Sequence, residues 1–214
     1  MTRPLIISDC DEVLLHMVVP FRNWLDETHG IHFDFASGFE EALRHKDSGD
    51  RVQRAQIDTL LGEFFGTQMR RQGAISGAVE AMRALAQRCD IVIVTNIGAE
   101  NARARADQLH AAGLPFAVIG NRGGKGPVVA QLIAEHAPSL TVFIDDLSGN
   151  HRSVAEHTPQ VWRLQFVGEP EIAPHATAAP DAHARIDDWD HAQRWIDAKL
   201  DELDAVEALM AGAA

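Results

Sequence analysis

The sequence has few cysteines, no long apolar run and fewer basic than acidic residues. Its 2 cysteines, Cys10 and Cys89, are too few for a disulfide framework, and each lies beside apolar residues where a reduced thiol packs as a small hydrophobe. No apolar run approaches the length of about 18 residues that indicates a transmembrane helix, and the N-terminus lacks the apolar segment of a signal peptide. We therefore expect a cytoplasmic protein that does not associate with membranes.

The charge balance narrows the possible partners. With 19 lysines and arginines against 31 acidic residues, the formal net charge is -12, which argues against a partner that is a nucleic acid polymer or an anionic membrane. Any anion must be bound by a local group of side chains. The length of 214 residues, 46% of them hydrophobic, suits one domain that carries a modest insertion.

Short runs rich in isoleucine and valine recur along the chain, with helical patterns between them. Continuous apolar runs are typical of strands covered on both faces, and therefore of a parallel sheet between two layers of helices. The predicted strands are 5–7, 91–94, 116–119, 141–144 and 161–164, with a weaker one at 182–186. The predicted helices are 78–87, 99–112, 127–136, 149–157 and 188 to about 209. The predicted fold class is α/β, with a Rossmann-like three-layer core.

The interval between the first and the second predicted strand is far longer than a crossover between parallel strands requires. Within it Phe21, Trp24 and Leu25 share one helical face, and a second apolar series recurs at three- and four-residue spacing. That series is Ile57, Leu60, Leu61, Phe64, Phe65 and Met69. We interpret residues 15–73 as a small helical cap domain inserted into a core of residues 1–14 and 74–214. Because the insertion begins just after two acids, it is placed to cover them.

Polar side chains follow several of the predicted strands at the point where each strand ends. The carboxyl ends of parallel strands form the ligand crevice of an open sheet. In chain order the polar residues are Asp9 and Asp11, Thr95 and Asn96, Lys125 in a glycine-rich turn, and Asp145, Asp146 and Asn150. Carboxylates at the end of a buried strand cost several kcal/mol if left uncompensated, so these positions favour metal binding or catalysis over packing.

This order of acid, hydroxyl, lysine and acid resembles the haloacid dehalogenase superfamily, most of whose members are magnesium-dependent phosphatases. The family's motifs are matched by Asp9-x-Asp11-x-Val13, by Thr95, by Lys125 and by Asp145-Asp146-x-x-x-Asn150. The resemblance extends from Leu5 to about Ile196, with the insertion at the family's first insertion point.

The resemblance implies a role for each matched residue. Asp9 would be the nucleophile that forms an aspartyl-phosphate and also a metal ligand. Asp11 would protonate the leaving group and then activate water, while its backbone carbonyl binds the metal. Thr95 and the amide of Asn96 would hold the phosphoryl group, and Lys125 would offset charge on Asp9 and the phosphate.

The resemblance assigns the other residues of the metal site to the last motif. Asp146 aligns with the family's metal-binding acid and Asp145 with an outer or water-mediated position. Asn150 departs from the pattern, because many members have a further acid there. Independently of the resemblance, a phosphate ester and several carboxylates repel one another, and an all-oxygen set of ligands suits Mg²⁺. We therefore expect Mg²⁺ as the cofactor and a small phosphorylated metabolite as the substrate.

The resemblance leaves other functions open. A dehalogenase or phosphonatase lacks an acid two residues after the nucleophile, so Asp11 argues against both. A sugar-phosphate mutase of the same superfamily shares every motif, and only its product separates it from a phosphatase. A phospho-acceptor signalling domain would form a persistent phosphoprotein from acetyl phosphate with negligible turnover. A non-catalytic domain of the same fold would bind Mg²⁺ without turning over any ester. The substrate and the oligomeric state are not determined by the sequence.

Overall fold

The structure, a computed structural model, describes residues 2–35 and 42–212. The strands are β1 (Leu5–Ser8), β2 (Ile31–Phe33), β3 (Leu43–His45), β4 (Asp90–Thr95), β5 (Ala117–Gly120), β6 (Thr141–Asp145), β7 (Trp162–Gln165) and β8 (Ala184–Arg185). The helices are α1 (Val18–Trp24), α2 (Arg54–Thr67), α3 (Ala78–Leu85), α4 (Ala99–Ala111), α5 (Gly126–His136), α6 (Ser148–His157) and α7 (Trp189–Gly212). Every predicted strand is present, within a few residues of the predicted bounds.

Six strands form one parallel sheet in the order β5-β4-β1-β6-β7-β8. Ile6 and Ile144 face the hydrophobic cluster that contains residues of α3 and α7. Leu5 and Phe143 face the opposite cluster, which contains residues of α5 and α6. The central strands are therefore covered on both sides, which confirms the predicted three-layer α/β core and explains why their apolar runs are continuous.

Two residues with restricted or unusual backbone preferences help to bound the helices that lead to the site. Pro127 lies in the first turn of α5, where its missing amide hydrogen is not needed. Gly113 follows α4 with φ +87°, a conformation that glycine adopts without steric cost and that commonly ends a helix.

The segment between β1 and α3 packs around a hydrophobic cluster of its own. Phe21 of α1 contacts Phe64 of α2 edge to face, with ring centroids 5.3 Å apart. Beyond the expected helices, β2 and β3 pair as a two-stranded antiparallel sheet, which the sequence pattern did not predict.

The two ends of this segment are hydrogen-bonded to each other where it leaves and rejoins the core. The amide of His16 donates to the carbonyl of Gly73 at 2.9 Å, and the amide of Ile75 donates to Leu14 at 2.9 Å. The entering and returning chains therefore run side by side, immediately beyond the acids that follow β1.

Both cysteines are buried free thiols. Burial raises the pKa of Cys10 to about 12 and that of Cys89 to about 11, so both remain protonated near neutral pH. Within the described ranges, no helix combines the length and apolar character needed to cross a bilayer.

Candidate active site

The first and last motifs meet because β1 and β6 are neighbours in the sheet. The amide of Asp9 donates to the carbonyl of Ile144 at 2.8 Å, which joins the end of β1 to the end of β6. The chain passes from β1 to β4 and β5 on one side, and then crosses to β6 on the other. This reversal creates the crevice in which open α/β sheets bind ligands, and Asp9 and Asp145 lie at it.

Lys125 joins the two motifs through a buried charge. Its Nζ lies 2.9 Å from Asp9 Oδ1 and 2.7 Å from Asp145 Oδ2. Burial alone would lower the pKa of Lys125, but the negative charges of Asp145 and Asp9 raise it above its ordinary value. Lys125 is therefore a permanent cation at the start of α5, in contact with the predicted nucleophile.

Asp9 is almost completely buried, and its environment is strongly polar. Its Oδ1 also accepts a hydrogen bond of 2.7 Å from the amide of Cys10. Burial raises the pKa of Asp9 to about 7, an effect that Lys125 opposes and Asp145 reinforces. Without a further positive charge, the carboxylate form of Asp9 is therefore disfavoured.

Asp9, Asp145 and Asp146 each place one oxygen within 4.8 Å of the others. Burial raises the pKa of Asp146, and the nearby charges of Asp145 and Asp9 raise it further. Lys125 supplies one positive charge against these three carboxylates. The excess negative charge and the all-oxygen donor set fit a hard divalent cation such as Mg²⁺.

Asp145 and Asn150 form the inner support of this carboxylate group. The side-chain amide of Asn150 donates to both carboxylate oxygens of Asp145, at 2.9 and 3.1 Å. The backbone amide of Leu147 donates to Oδ1 of Asp145 at 2.9 Å. Asp145 is fully buried, whereas Asp146 lines the adjoining cavity. Asn150, which stands where many family members have an acid, therefore orients the carboxylate of Asp145 through its side-chain amide.

Thr95 and Asn96 extend from the end of β4 toward the same region. The hydroxyl of Thr95 donates to Asp11 Oδ2 over 3.4 Å. The side chain of Asn96 donates to the carbonyl of Gly123 at 3.0 Å and accepts from Asn121 at 2.8 Å, which ties the end of β4 to the turn that carries Lys125. The structure thus brings the predicted phosphate-binding residues next to the acids.

Sequence reasoning missed two partners of Asp11, namely Arg105 of α4 and Gln72 at the return from the insertion. Arg105 Nη1 lies 2.9 Å and Gln72 Nε2 lies 2.6 Å from Asp11 Oδ1. One signal was present: Arg105 lies four residues before Leu109, on the buried face of α4. An arginine on an apolar helical face indicates a buried acidic partner.

Glu12 was also missed, although it directly follows Asp11. Its φ of 61° lies in the left-handed region that favours glycine, and its Oε1 accepts hydrogen bonds from the amides of Met17 at 2.8 Å and Val18 at 2.6 Å. Burial raises the pKa of Glu12 to about 7. No hydrogen-bond partner of Oε2 lies within the ranges that the structure describes.

A cavity of about 500 Å³ opens above these acids. The core contributes polar side chains to its floor, and the insertion contributes mainly apolar ones to its walls. Its lining is Asp9, Asp11, Glu12, Met17, Val18, Arg54, Leu61, Phe65, Asn96, Asp146 and Leu147. Leu61 and Phe65, assigned from the sequence to the core of the insertion, are only partly buried against it and face this cavity as well.

No protein-family model matches the sequence, and no curated protein matches it. Solved structures do match its fold. A haloacid dehalogenase-like hydrolase from Streptococcus pneumoniae has a TM-score of 0.63 and 13% identity, covering 92% of this chain and 98% of that one. A protein from Lactobacillus delbrueckii subsp. bulgaricus, provisionally named a phosphoglycolate phosphatase, has a TM-score of 0.64 and 16% identity over 92% and 99%.

The chain therefore has the fold of the haloacid dehalogenase-like hydrolases, which confirms the fold that the motif order predicted. The matches with this fold also include a Thermotoga maritima protein provisionally named a β-phosphoglucomutase. It has a TM-score of 0.52 and 14% identity, covering 86% of this chain and 94% of that one.

Proposed function

We propose that this protein is a Mg²⁺-dependent phosphatase that hydrolyses a small phosphate monoester through an aspartyl-phosphate on Asp9. The observation that carries the proposal is the convergence of Asp9, Lys125, Asp145 and Asp146 at the crevice end of the sheet. The cavity above them has a volume of about 500 Å³, which suits a small metabolite. The fold shared with named phosphatases supports the same activity.

Asp9 and Asp146, with the backbone carbonyl of Asp11, would hold the Mg²⁺. The ion, when bound, offsets the charge of the carboxylates and of the phosphoryl group. Oδ1 of Asp9 is engaged by Lys125 and by the amide of Cys10, so we assign the attack on phosphorus to Oδ2. Lys125 offsets the charge of Asp9 and of the phosphoryl oxygens.

Asp11 acts in both steps of this mechanism. In the first, the Asp9–phosphorus bond forms, the bond from phosphorus to the ester oxygen breaks, and Asp11 gives that oxygen a proton. In the second, Asp11 takes a proton from water as the water attacks phosphorus, and the Asp9–phosphorus bond breaks. The products are the free alcohol and inorganic phosphate, and Asp11 has regained its proton.

We also propose that residues 15–73 form a cap that selects the substrate. The segment packs around its own hydrophobic cluster and supplies apolar walls, including Leu61 and Phe65, to the cavity over the acids. Substitutions at these two positions should therefore change the preference among substrates more than they change the chemistry.

The decisive experiment measures phosphate release from a panel of monoesters, with and without Mg²⁺. Asp9→Asn should be inactive, whereas Asp190→Asn, at an exposed acid on α7, should retain full activity. In Asp11→Asn, mass spectrometry should detect a phosphoryl group on Asp9. The proposal is wrong if no ester releases phosphate, or if Asp9→Asn retains activity.

A sugar-phosphate mutase is the second candidate, because the same fold occurs in a protein provisionally named a β-phosphoglucomutase. Analysis of the products separates the two activities, since a mutase returns an isomeric sugar phosphate and a phosphatase returns free phosphate. A stable phosphoprotein without turnover would instead indicate a phospho-acceptor signalling domain, and Mg²⁺ binding without any reaction would indicate a non-catalytic domain.

A further inference from the structure

The carboxylate of Asp11 is held by two side chains that belong to none of the four motifs. Arg105 contacts both oxygens, with Nη1 2.9 Å from Oδ1 and Nη2 3.3 Å from Oδ2. Gln72 Nε2 donates to Oδ1 at 2.6 Å. A planar guanidinium that contacts both oxygens fixes the orientation of a carboxylate as well as its distance.

The side chain of Arg105 is held in place by burial and by contacts with the loop after β1. Its side chain is fully buried, and its Nη1 also lies 3.0 Å from the sulfur of Cys10. Removal of a guanidinium from water is costly unless an acid compensates it, and Asp11 is the acid in contact with this one, supplying a negative charge whenever it has given up its proton. The pair therefore ties the loop after β1 to helix α4.

Gln72 is the third member of the arrangement and is also buried. Its Oε1 accepts a hydrogen bond of 3.1 Å from Arg105 Nη2, so its amide bridges the guanidinium and the carboxylate. Gln108, one turn beyond Arg105 on α4, donates to the carbonyl of Met69 at 2.6 Å. Helix α4 therefore holds both Asp11 and the segment that carries Gln72.

Asp11 nevertheless lines the cavity in which a substrate would bind. Its side chain is 15% exposed, whereas that of Arg105 is not exposed at all. The guanidinium thus contacts the carboxylate from the protein side and leaves its other side toward the cavity. The guanidinium of Arg105 also lies over the ring of Phe65, 5.6 Å from the ring centroid, but its contacts with a group that would transfer protons are those with Asp11.

We propose that Arg105 is a positioning residue that fixes the carboxyl group of Asp11 at the cavity wall, with Gln72 as its auxiliary. This inference rests on the proposed function, in which Asp11 transfers protons to and from the reacting oxygens. Proton transfer requires the two heavy atoms to lie within hydrogen-bond distance, and a displacement of about 1 Å can cost about 10²-fold in rate. A carboxyl group without Arg105 has several rotamers available and seldom occupies the required one.

The test compares kcat/KM for two substrates of the full-length protein with Mg²⁺. An alkyl phosphate needs a proton on its leaving oxygen, whereas 4-nitrophenyl phosphate has a leaving group that departs without one. Because kcat/KM reports the steps up to departure of the alcohol, Arg105→Met should lower it by about 10²-fold for the alkyl ester. For the nitrophenyl ester the change should stay within about threefold.

Three further variants separate positioning from a loss of folding. Arg105→Lys should recover part of the alkyl phosphatase activity, and Gln72→Met should show a smaller loss with the same substrate dependence. Arg103→Met, at an exposed position on α4, should match the wild-type enzyme. Thermal unfolding of each variant shows whether the folded fraction has changed.

A double variant that combines Arg105→Met with Asp11→Asn tests directly whether Arg105 acts through Asp11. If Arg105 acts through Asp11, adding Arg105→Met to Asp11→Asn should cause no further loss of kcat/KM. Equal losses for both esters, no loss for either, or losses that multiply in the double variant would each overturn the assignment. A wild-type protein that hydrolyses neither ester, nor any other monoester, would overturn the proposed function and this assignment with it.

Discussion

The ammonium group of Lys125 lies 2.7 Å from the carboxylate of Asp145, and neither side chain is exposed to solvent. The same ammonium group lies 2.9 Å from Asp9. One buried cation therefore compensates acids from the first and the last motif, so its removal affects both stability and the chemistry of the site.

Lys125→Met should lower the free energy of unfolding by about 3–5 kcal/mol, because it leaves two buried carboxylates without their cation. Urea denaturation in EDTA measures this loss. The matched control is Lys46→Met, which removes a surface ion pair with Asp26 and should cost less than about 1 kcal/mol. Equal losses in the two variants would contradict the assigned importance of the buried pair.

Binding of Mg²⁺ should release protons near neutral pH. Burial raises the pKa of Asp9 to about 7 and also raises that of Asp146, while a cation binds the deprotonated carboxylates. The affinity for Mg²⁺ should therefore fall as the pH decreases below about 7. Calorimetric titrations in buffers of different ionisation enthalpy measure the proton release, and an affinity independent of pH would contradict this prediction.

Asp146→Asn should abolish the stabilisation by Mg²⁺ while preserving the fold. At Mg²⁺ concentrations about 100-fold above Kd, the wild-type protein should gain about 2.7 kcal/mol. The variant should show no such gain, and in EDTA it should be more stable than the wild type because an acid repelled by Asp145 and Asp9 has been removed. Differential scanning calorimetry measures both effects, and Asp190→Asn should retain the full response to Mg²⁺.

Glu12→Gln should stabilise the metal-free protein at alkaline pH. Burial raises the pKa of Glu12 from 4.5 to about 7, so the folded state holds a proton that the unfolded chain has lost between these values. The contribution of this proton to the free energy of unfolding is fully present below the pKa of Glu12 in the unfolded chain. It is lost as the pH rises through the higher pKa of Glu12 in the folded state. The variant should gain up to about 3 kcal/mol at pH 8 over the wild type.

Urea denaturation in EDTA at acid and alkaline pH measures the effect of Glu12→Gln, and the difference from the wild type should vanish at the acid end. Glu171 provides a control of opposite sign, because its hydrogen bond with Arg22 lowers the pKa of Glu171. Its contribution is present above the unfolded pKa and is lost as the pH falls. Glu171→Gln should therefore be slightly destabilising at alkaline pH, and the same sign in both variants would refute the argument.

The sheet could be predicted from the sequence because its strands are buried on both faces. Val92 and Ile93 face opposite hydrophobic clusters, so both positions must be apolar and the run is continuous. The strands β2 and β3 of the insertion contain 3 residues each. Such short strands carry too little periodicity to be separated from the helices around them.

The site could be predicted as far as its residues follow strand ends. Asp9 and Asp145 are placed by the sheet itself, and an apolar run followed by an acid marks each of them. Arg105 lies 94 positions from Asp11 in the chain, and no local pattern specifies that α4 turns this side chain toward the loop after β1. Contacts of this kind depend on how helices pack against the sheet.

The hydrogen-bonded ends of the insertion make the segment exchangeable. Since the chain at Leu14 lies beside the chain at Ile75, a short turn could join them, or a segment of another length could take the same place, at a small cost in loop-closure entropy. The acids after β1 and β6 would keep their strands and their spacing. Recombination at this junction would then give one reaction centre a succession of new substrates.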